Sequence, residues 1–203
     1  MTDIRALNSG DLDAVLGIIE ARTSFFSESD FDKTPHHELA RSLVDSGRAL
    51  GLFEDGQLDA YIAWNILHES PRSDDPSLMD SPAAWVNVLW TRPRPDREKL
   101  PSGHDLNISR IMEAMFQLMR SVGVYTFWSL LPAKWRLLAQ SSHLQREMAH
   151  WTLADMGFQA PGERITGPAA QWLATGPMRG MKPKFPIIAR AFTLKDEFRN
   201  ACS

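Results

Sequence analysis

Near the start of the chain, hydrophobic residues recur with the period of an α-helix. A short strand candidate, DIRAL, precedes SGDLDAVLGIIEARTSFF, whose aliphatic residues share one helical stripe and whose predicted N-cap is Ser9. A second helix is predicted in TPHHELARSLVDSG, where Thr34 and Pro35 suit a helix start and Gly47 suits its end. The chain is therefore expected to open with a strand and two helices.

In the middle of the chain the helical period of hydrophobic residues ends, and short apolar runs that are typical of strands follow. In RALGLFEDGQLDAYIAWNIL two such runs flank an Asp-Gly pair, which predicts a hairpin with antiparallel strands at roughly 48–53 and 58–67. After a polar, turn-rich segment, AAWVNVLWT is apolar on both faces and is predicted to be a central strand. These three strands form a predicted meander.

The second half of the chain alternates between helix and strand patterns. A helix is predicted from about Leu106 to Val122, and a buried strand follows in VYTFWSLL. A further helix is predicted from roughly Trp135 to Met156, with strands in QWLAT and FPIIARAFTL. The strand–helix–strand unit from 83 to 131 predicts one parallel strand pair. The order as a whole indicates an α/β or α+β fold.

Composition narrows the class of protein without identifying an activity. Apolar residues make up 43% of the 203 positions and charged residues 23%, as in ordinary globular domains. A net charge of -3 gives no signature of a general nucleic-acid binder, although a local basic patch stays open. The single cysteine, Cys202, excludes a disulfide framework and a cysteine-based metal site. With no basic N-terminal leader and no apolar run near the ~20 residues of a membrane span, a cytoplasmic protein without a membrane partner is expected.

Four local features, in this order, resemble the GNAT superfamily of N-acetyltransferases. They are the opening DIRALNSGDLDAVLGII, the hairpin LFEDGQLDAYIAW, the segment WVNVLWTRP with the later NISRIMEAMFQLMRSVG, and REMAHWTLADMGF with its Gly-Phe ending. The resemblance covers a GNAT-like domain at residues 1 to about 175 and implies a mixed, mostly antiparallel central sheet flanked by helices. Residues 176–203 would be a C-terminal strand and tail of the same domain, rich in Lys and Arg. This tail would shape the acceptor site, contact a polyanion or form a homodimer edge, and the alternative is an ordinary strand and last turn.

The resemblance implies acetyl-CoA as the acyl donor and no metal. The diphosphate would lie on LPSGHDLN, at the start of a helix whose amides and dipole favour anions, and the pantetheine arm would pair with the backbone of Leu89 and Trp90. Asp105 stands where the superfamily usually has glycine and brings a like charge towards the phosphates. The other interpretation is an ordinary helix start capped by Asp105 or Asn107. The predicted cradle consists of Ser102, Gly103, His104, Asp105, Leu106 and Asn107.

Acetyl transfer to an amine requires a group that removes a proton from the ammonium. The predicted base is Glu69, which follows His68 after the third strand, and Asn87 is the predicted holder of a water molecule. His150 is the candidate for protonating the leaving thiolate, because Leu153 occupies a position where superfamily members often have tyrosine. Glu69 and Asn87 each have a structural alternative, a solvated loop residue and a hydrogen-bonded core amide.

Two functions remain open at this point. The first is an N-acetyltransferase that moves an acetyl group from acetyl-CoA to a primary amine by direct attack. Its acceptor would be a small molecule, a protein amine or an amine on a modified nucleobase. The second is a catalytically inactive binding or assembly protein on the same fold, which recognises a protein or nucleic-acid partner. The order of elements favours the first function, and Asp105 and Leu153 favour the second.

Overall fold

The computed structural model describes residues 1–26, 34–68, 82–92, 106–132, 144–152 and 187–194. Within these ranges the chain forms seven strands and three α-helices, and a short 3-10 turn at Ser9–Asp11 leads into the first helix. The elements in chain order are β1 (Thr2–Ala6), α1 (Leu12–Phe26), α2 (Thr34–Asp45), β2 (Ala49–Glu54), β3 (Gln57–Leu67), β4 (Ala83–Thr91), α3 (Leu106–Ser121), β5 (Thr126–Pro132), β6 (Leu144–Thr152) and β7 (Ile187–Leu194).

The strands form one sheet with the order β1-β2-β3-β4-β5-β7-β6. Neighbouring strands are antiparallel except for β4 and β5, which are parallel and flank α3 in the chain. The predicted mixed, mostly antiparallel sheet and its one parallel pair are therefore confirmed. None of the helices in the described ranges is long and apolar enough to cross a membrane.

Helices cover both faces of the sheet, and each face has its own hydrophobic core. On one face α3 packs on β2, β3 and β4, and the side chains of Met115, Phe116 and Phe127 are fully buried there. On the other face α1 and α2 pack together and against the central strands. Because β3 and β4 are buried from both sides, their sequences are nearly continuous apolar runs.

The β2–β3 hairpin closes through Asp55 and Gly56, as their Asp-Gly sequence predicts. Glu54 pairs with Gln57, and the φ angles of Asp55 and Gly56 are 50° and 78°. Both angles lie in the left-handed region that two-residue hairpin turns require. Each strand begins and ends within one residue of its predicted bounds.

Asn8, and not the predicted Ser9, is the N-cap at this point of the chain, where it caps the 3-10 turn that leads into α1. The Asn8 side chain accepts a hydrogen bond from the Gly10 amide at 2.9 Å, and the Asp11 carboxylate accepts one from the Asn8 amide at 3.0 Å. Asp11, three residues after Asn8, completes a reciprocal capping box, which Ser9 does not. Arg5 of β1 donates two hydrogen bonds to the same carboxylate, at 2.6 and 2.8 Å, and so ties the first strand to the first helix.

Residues 144–152 correct the prediction of a helix from 135 to 156. They form β6, an antiparallel partner of β7 in which Ala149 is opposite Ala191. Helix-favouring residues such as Glu147 and Met148 led to that prediction, but pairing with β7 outweighs a small preference per residue. The register shifts twice along this pair, so the fit of the segment to a strand is irregular. The predicted strand in FPIIARAFTL is confirmed as β7, whereas QWLAT lies outside the described ranges.

Two glycines give opposite predictions for the same substitution. A Cβ atom at Gly51 of β2 would lie 2.5 Å from Leu7 Cδ2 and 2.7 Å from Leu58 Cδ1, inside a packed core, whereas one at the exposed Gly17 of α1 would meet nothing within 4 Å. We expect Gly51→Ala to lower the free energy of unfolding by about 1–3 kcal/mol and Gly17→Ala to raise it by about 0.5–1 kcal/mol. Urea unfolding followed by circular dichroism measures both changes. Equal midpoints for the two variants would contradict this packing of β2.

The bond between Arg5 and Asp11 makes part of the stability depend on pH. Hydrogen bonding from the Arg5 guanidinium lowers the pKa of the Asp11 carboxyl. A lowered pKa adds stability above the unfolded value of about 3.9, and this stability is lost as the pH falls through the folded value. Asp11→Asn should therefore be less stable than wild type at neutral pH, by an amount that shrinks as the pH is lowered through about 4 towards 3.

Urea unfolding at neutral and acidic pH measures this effect. Asp13→Asn is the matched control, because Asp13 is an exposed carboxylate in the first turn of α1, two residues after Asp11. A difference between wild type and Asp11→Asn that stayed constant across the pH range would show that the ion pair does not carry the stability.

Candidate active site

One residue of β4 has no counterpart in its antiparallel partner β3. Ala63 pairs with Val88 and Trp64 pairs with Val86, so Asn87 is an extra residue and forms a β-bulge. The bulge reverses the alternation of side chains along β4. Val86 packs into the core beneath α3, whereas Val88 packs into the core beneath α1 and α2. In a regular strand these two valines would share one face.

The parallel pairing of β4 with β5 ends at the same place. Within the described strands, Ala83–Val86 pair with Thr126–Ser129 and the pairing then stops. Beyond these pairs β4 continues to Thr91 in register with β3, and β5 continues to Pro132 in register with β7. The two strands therefore diverge from the bulge towards their carboxyl ends. Such an opening is where a ligand can meet the carboxyl ends of parallel strands, and an extended ligand can pair with their backbone groups.

Asn87 stands at the point where the two strands diverge. Its side chain is 8% exposed, and neither Nδ2 nor Oδ1 has a hydrogen-bond partner among the residues that the structure describes. A buried group left unsatisfied costs about 1–3 kcal/mol, so folded proteins rarely keep one without a water molecule, a ligand or a functional reason. Its strand neighbours Val86, Val88 and Leu89 are apolar. The site therefore contains one buried neutral group that offers both a hydrogen-bond donor and an acceptor.

The side chain of Trp90 belongs to the core on the α1–α2 face. Its ring stacks on His36 of α2 with 6.0 Å between centroids and meets the Tyr61 ring edge-on at 6.4 Å. The predicted contact between Trp90 and a donor arm would therefore use the backbone and not the indole ring. Burial raises the pKa of the Tyr61 phenol, so this group stays protonated and is not a general base at neutral pH.

The second residue of α3 is tied to the sheet by its side chain. Asn107 is buried, and its Nδ2 donates to Glu54 Oε1 at 2.8 Å and to Asp59 Oδ2 at 2.9 Å. Asp59 is fully buried and is the extra residue of a second bulge, at the register shift between β2 and β3. Asn107 therefore lies inside α3 as a bridge to the sheet and is not the cap of the helix. Any part that it takes in the predicted diphosphate cradle falls to its backbone.

Several predicted site residues lie outside the described ranges, and their roles stay predictions. These are Glu69 and the four cradle residues before α3, Ser102, Gly103, His104 and Asp105. The last cradle residues, Leu106 and Asn107, begin α3 as predicted. His150 lies on β6 opposite Arg190 of β7 and not on a helix. His150 was chosen for its place in a predicted final helix, and this segment is a strand, so we carry its role no further.

Several solved structures that are similar to this chain are named as N-acetyltransferases. The mosquito arylalkylamine N-acetyltransferase like 5b matches with a TM-score of 0.62 at 12% sequence identity, over 96% of this chain and 100% of that chain. The polyamine N-acetyltransferase of Drosophila melanogaster, which forms N-acetylagmatine, gives 0.57 at 12% identity over 95% and 98% of the two chains. N-acetylglutamate synthase from Neisseria gonorrhoeae, solved with coenzyme A and N-acetylglutamate, gives 0.54 at 13% identity over 94% of this chain and 35% of that chain.

These likenesses show that the chain has the GNAT fold, which its order of elements resembles. Models of known protein families and the sequences of curated proteins gave no match. At identities of 12–13% the likeness establishes the fold and leaves the reaction and the substrate to be argued from the site.

The bulge at Asn87 is the part of the site that the sequence pattern conceals. Both faces of AAWVNVLWT are apolar, so a change of face along the strand leaves no trace in the pattern. A single asparagine inside an apolar strand is the one visible signal, and it fits a hydrogen-bonded core amide equally well. Asp59 within LDAYIAW is a similar signal that sequence analysis did not use.

Asn107→Ala should destabilise the protein, because it removes a hydrogen-bond donor from the buried Asp59 carboxylate. We expect the free energy of unfolding to fall by about 1–3 kcal/mol. The matched control is Asn65→Ala, since the partly exposed Asn65 side chain accepts only a long bond of 3.4 Å from Arg48. Its loss should cost less than about 0.5 kcal/mol. Urea unfolding compares the two variants, and equal losses would mean that the Asn107 bridge does not hold α3 on the sheet.

Proposed function

We propose that this chain is an N-acetyltransferase that moves an acetyl group from acetyl-CoA to a primary amine by direct attack. The observation that carries the proposal is the divergence of β4 and β5 at the Asn87 bulge, within a GNAT fold. Two similar structures named as N-acetyltransferases, and an N-acetylglutamate synthase solved with coenzyme A, support the same class of reaction.

The opening between β4 and β5 fits the arm of acetyl-CoA in shape and polarity. The pantetheine arm is extended, neutral and contains amide groups. The opening lies between the backbones of β4 and β5 and begins beside Asn87, a neutral residue whose polar side-chain atoms are buried. At the start of α3, the backbone amides of the segment 102–107 are proposed to hold the diphosphate, since a helix N-terminus favours anions. When bound, acetyl-CoA supplies an activated thioester.

The proposed chemistry requires few groups from the protein. Backbone amides near Leu89 and Trp90, at the end of β4, align the thioester and stabilise the negative charge that develops on its carbonyl oxygen. Glu69 would accept the proton that the ammonium must lose before the amine attacks. As the C–N bond forms and the C–S bond breaks, the nitrogen would release a second proton, which the departing coenzyme A thiolate takes up. Because β4 contributes backbone amides, this part of the mechanism depends more on the path of the strand than on the identity of its side chains.

An amine is the class of acceptor that the similar structures support. Two of them are named for an arylalkylamine and for polyamines, and the second is described as forming N-acetylagmatine. A first panel of acceptors should contain agmatine, a polyamine and an arylalkylamine. A peptide with a free N-terminus extends it to protein amines.

A second candidate function is a catalytically inactive protein that binds a protein or nucleic-acid partner. The observation that favours it is the negative charge near the start of α3. Glu54 and Asp59 are both bonded to Asn107, and Asp105 precedes the helix in sequence. Carboxylates near this helix end compete with a diphosphate for the positive end of the helix dipole.

Calorimetric titration with acetyl-CoA separates the two functions. We expect wild-type protein to bind acetyl-CoA with micromolar affinity, within the range of ordinary enzyme substrates, and to release free CoA thiol only when an amine of the panel is present. Coenzyme A without the acetyl group is the control ligand. No binding at millimolar acetyl-CoA would reject the acetyltransferase and leave the binding protein.

Gly103→Arg tests the proposed diphosphate cradle. The long side chain would occupy the space that the phosphates need, so acetyl-CoA binding should weaken by about tenfold or more. Gly17→Arg makes the same exchange at an exposed position of α1 and should leave the affinity unchanged. Wild-type affinity in Gly103→Arg would show that the diphosphate lies elsewhere.

A further inference from the structure

We infer that Asp59 is a positioning residue for the acyl donor, because it fixes the end of β4 and the start of α3 relative to each other. These are the two places at which the proposed acetyltransferase would hold the thioester and the diphosphate, so this role rests on the proposed function. Asp59 would act only through the residues that it holds and would not touch the donor itself.

The backbone of Asp59 holds the end of β4. Its carbonyl oxygen accepts a hydrogen bond from the Arg92 amide at 2.6 Å, and the next residue of β3, Ala60, pairs with Thr91. This bond continues the contact between the two strands one residue beyond the end of β4. The last residues of β4, where the thioester is proposed to lie, are therefore anchored at their carboxyl end by Asp59.

The side chain of Asp59 holds the start of α3. Its Oδ2 atom accepts a hydrogen bond of 2.9 Å from Nδ2 of Asn107, the second residue of that helix. Asp59 is fully buried and Asn107 is 6% exposed, so water hardly competes for this bond. A bond between two buried groups constrains the first turn of the helix more closely than an exposed bond would.

The bulge at Asp59 lets one residue make both contacts. Leu52 pairs with Ala60 and Phe53 pairs with Leu58, so Asp59 has no opposite residue on β2. A bulge beside an active site commonly gives a side chain a new direction. Here the backbone of the bulged residue stays beside β4, while its carboxylate reaches the helix that packs on the sheet. A single residue thus links the end of a strand directly to the start of a helix.

A donor that spans both places binds tightly only when their separation matches its own length. Linking two parts of a ligand raises the affinity above that of either part, and this gain is lost when the two sites are displaced relative to each other. Acetyl-CoA contains both parts, whereas S-acetylpantetheine lacks the nucleotide and 3′-phosphoadenosine 5′-diphosphate lacks the arm. Loss of the bond between Asp59 and Asn107 should therefore weaken the binding of acetyl-CoA and leave both fragments little affected.

Asn107→Ala tests the inference, because it removes the side chain that joins Asp59 to α3. We expect the dissociation constant for acetyl-CoA to rise by about tenfold in calorimetry, and those for both fragments to stay within about twofold of wild type in ligand-observed nuclear magnetic resonance. Ile111→Val is the matched control, since Ile111 is fully buried on α3 and the loss of one methyl group loosens this helix without touching the bridge. It should leave all three affinities unchanged.

Glu54→Ala separates the two carboxylates that Asn107 contacts. Glu54 ends β2, which lies on the other side of β3 from β4, and accepts a hydrogen bond of 2.8 Å from the same Nδ2 atom. Because β2 holds neither part of the donor, we expect this variant to bind acetyl-CoA at least as tightly as wild type. Binding as weak as that of Asn107→Ala would assign the effect to Glu54 and overturn the role of Asp59.

Each remaining outcome overturns the inference in a distinguishable way. Unchanged acetyl-CoA affinity in Asn107→Ala would limit the bridge to stability. An equal loss of affinity for 3′-phosphoadenosine 5′-diphosphate would show that the bridge shapes only the start of α3, and a loss shared by Ile111→Val would show that any loosening of the helix weakens binding. Failure of the wild-type protein to bind any of the three ligands would reject the proposed function itself, whereas the preceding results would leave it in place.

Discussion

The extra residue at Asn87 is the constraint on which the rest of the site depends. It lets one strand serve two cores, because Val86 packs beneath α3 and Val88 packs beneath α1 and α2. It also coincides with the end of the pairing between β4 and β5. Without the bulge, the side chains of β4 would alternate regularly between the two faces of the sheet. The strand could then continue to pair with β5 along its whole length. The two cores, the opening and the proposed donor site thus share a single local irregularity.

Two bulges place polar residues in the centre of an otherwise apolar sheet, and their energetics differ. Asp59 on β3 is fully buried. Its carboxyl group accepts a hydrogen bond from the side-chain amide of Asn107, and this bond joins the sheet to α3. This contact satisfies a group that would be costly to bury alone and fixes the start of the helix at the same time. Asn87 on β4 gains no such contact from the described residues. The cost of burying it is therefore not offset by a hydrogen bond from the described residues, which distinguishes it from Asp59.

Sequence patterns predicted the elements whose stability is local. The β2–β3 hairpin follows from its Asp-Gly turn, and α3 follows from a continuous apolar stripe that begins at Ile108 and ends near Gly123. They did not predict β6, because Glu147 and Met148 favour a helix and only pairing with β7, forty residues further along the chain, makes the segment a strand. The cap at Asn8 was missed for a smaller reason, since Ser9 is an equally good cap by type and the reciprocal bond with Asp11 decides between them. The bulge at Asn87 was hidden because β4 is apolar on both faces.

The proposed donor site is divided between β4 and the start of α3. A change at one position of the diphosphate motif would therefore affect only one of the two parts. The arm would lie along β4 near Asn87, and the diphosphate would lie at the start of α3, so that the two contacts contribute separately to donor affinity. Contacts of this kind through the backbone depend on the path of the strand and helix, which is why a fold shared at 12% identity can retain them. Asp105 then weakens one contribution through its charge without removing the other. A donor site with a weakened diphosphate end would depend more on the contacts between the arm and the backbone of β4.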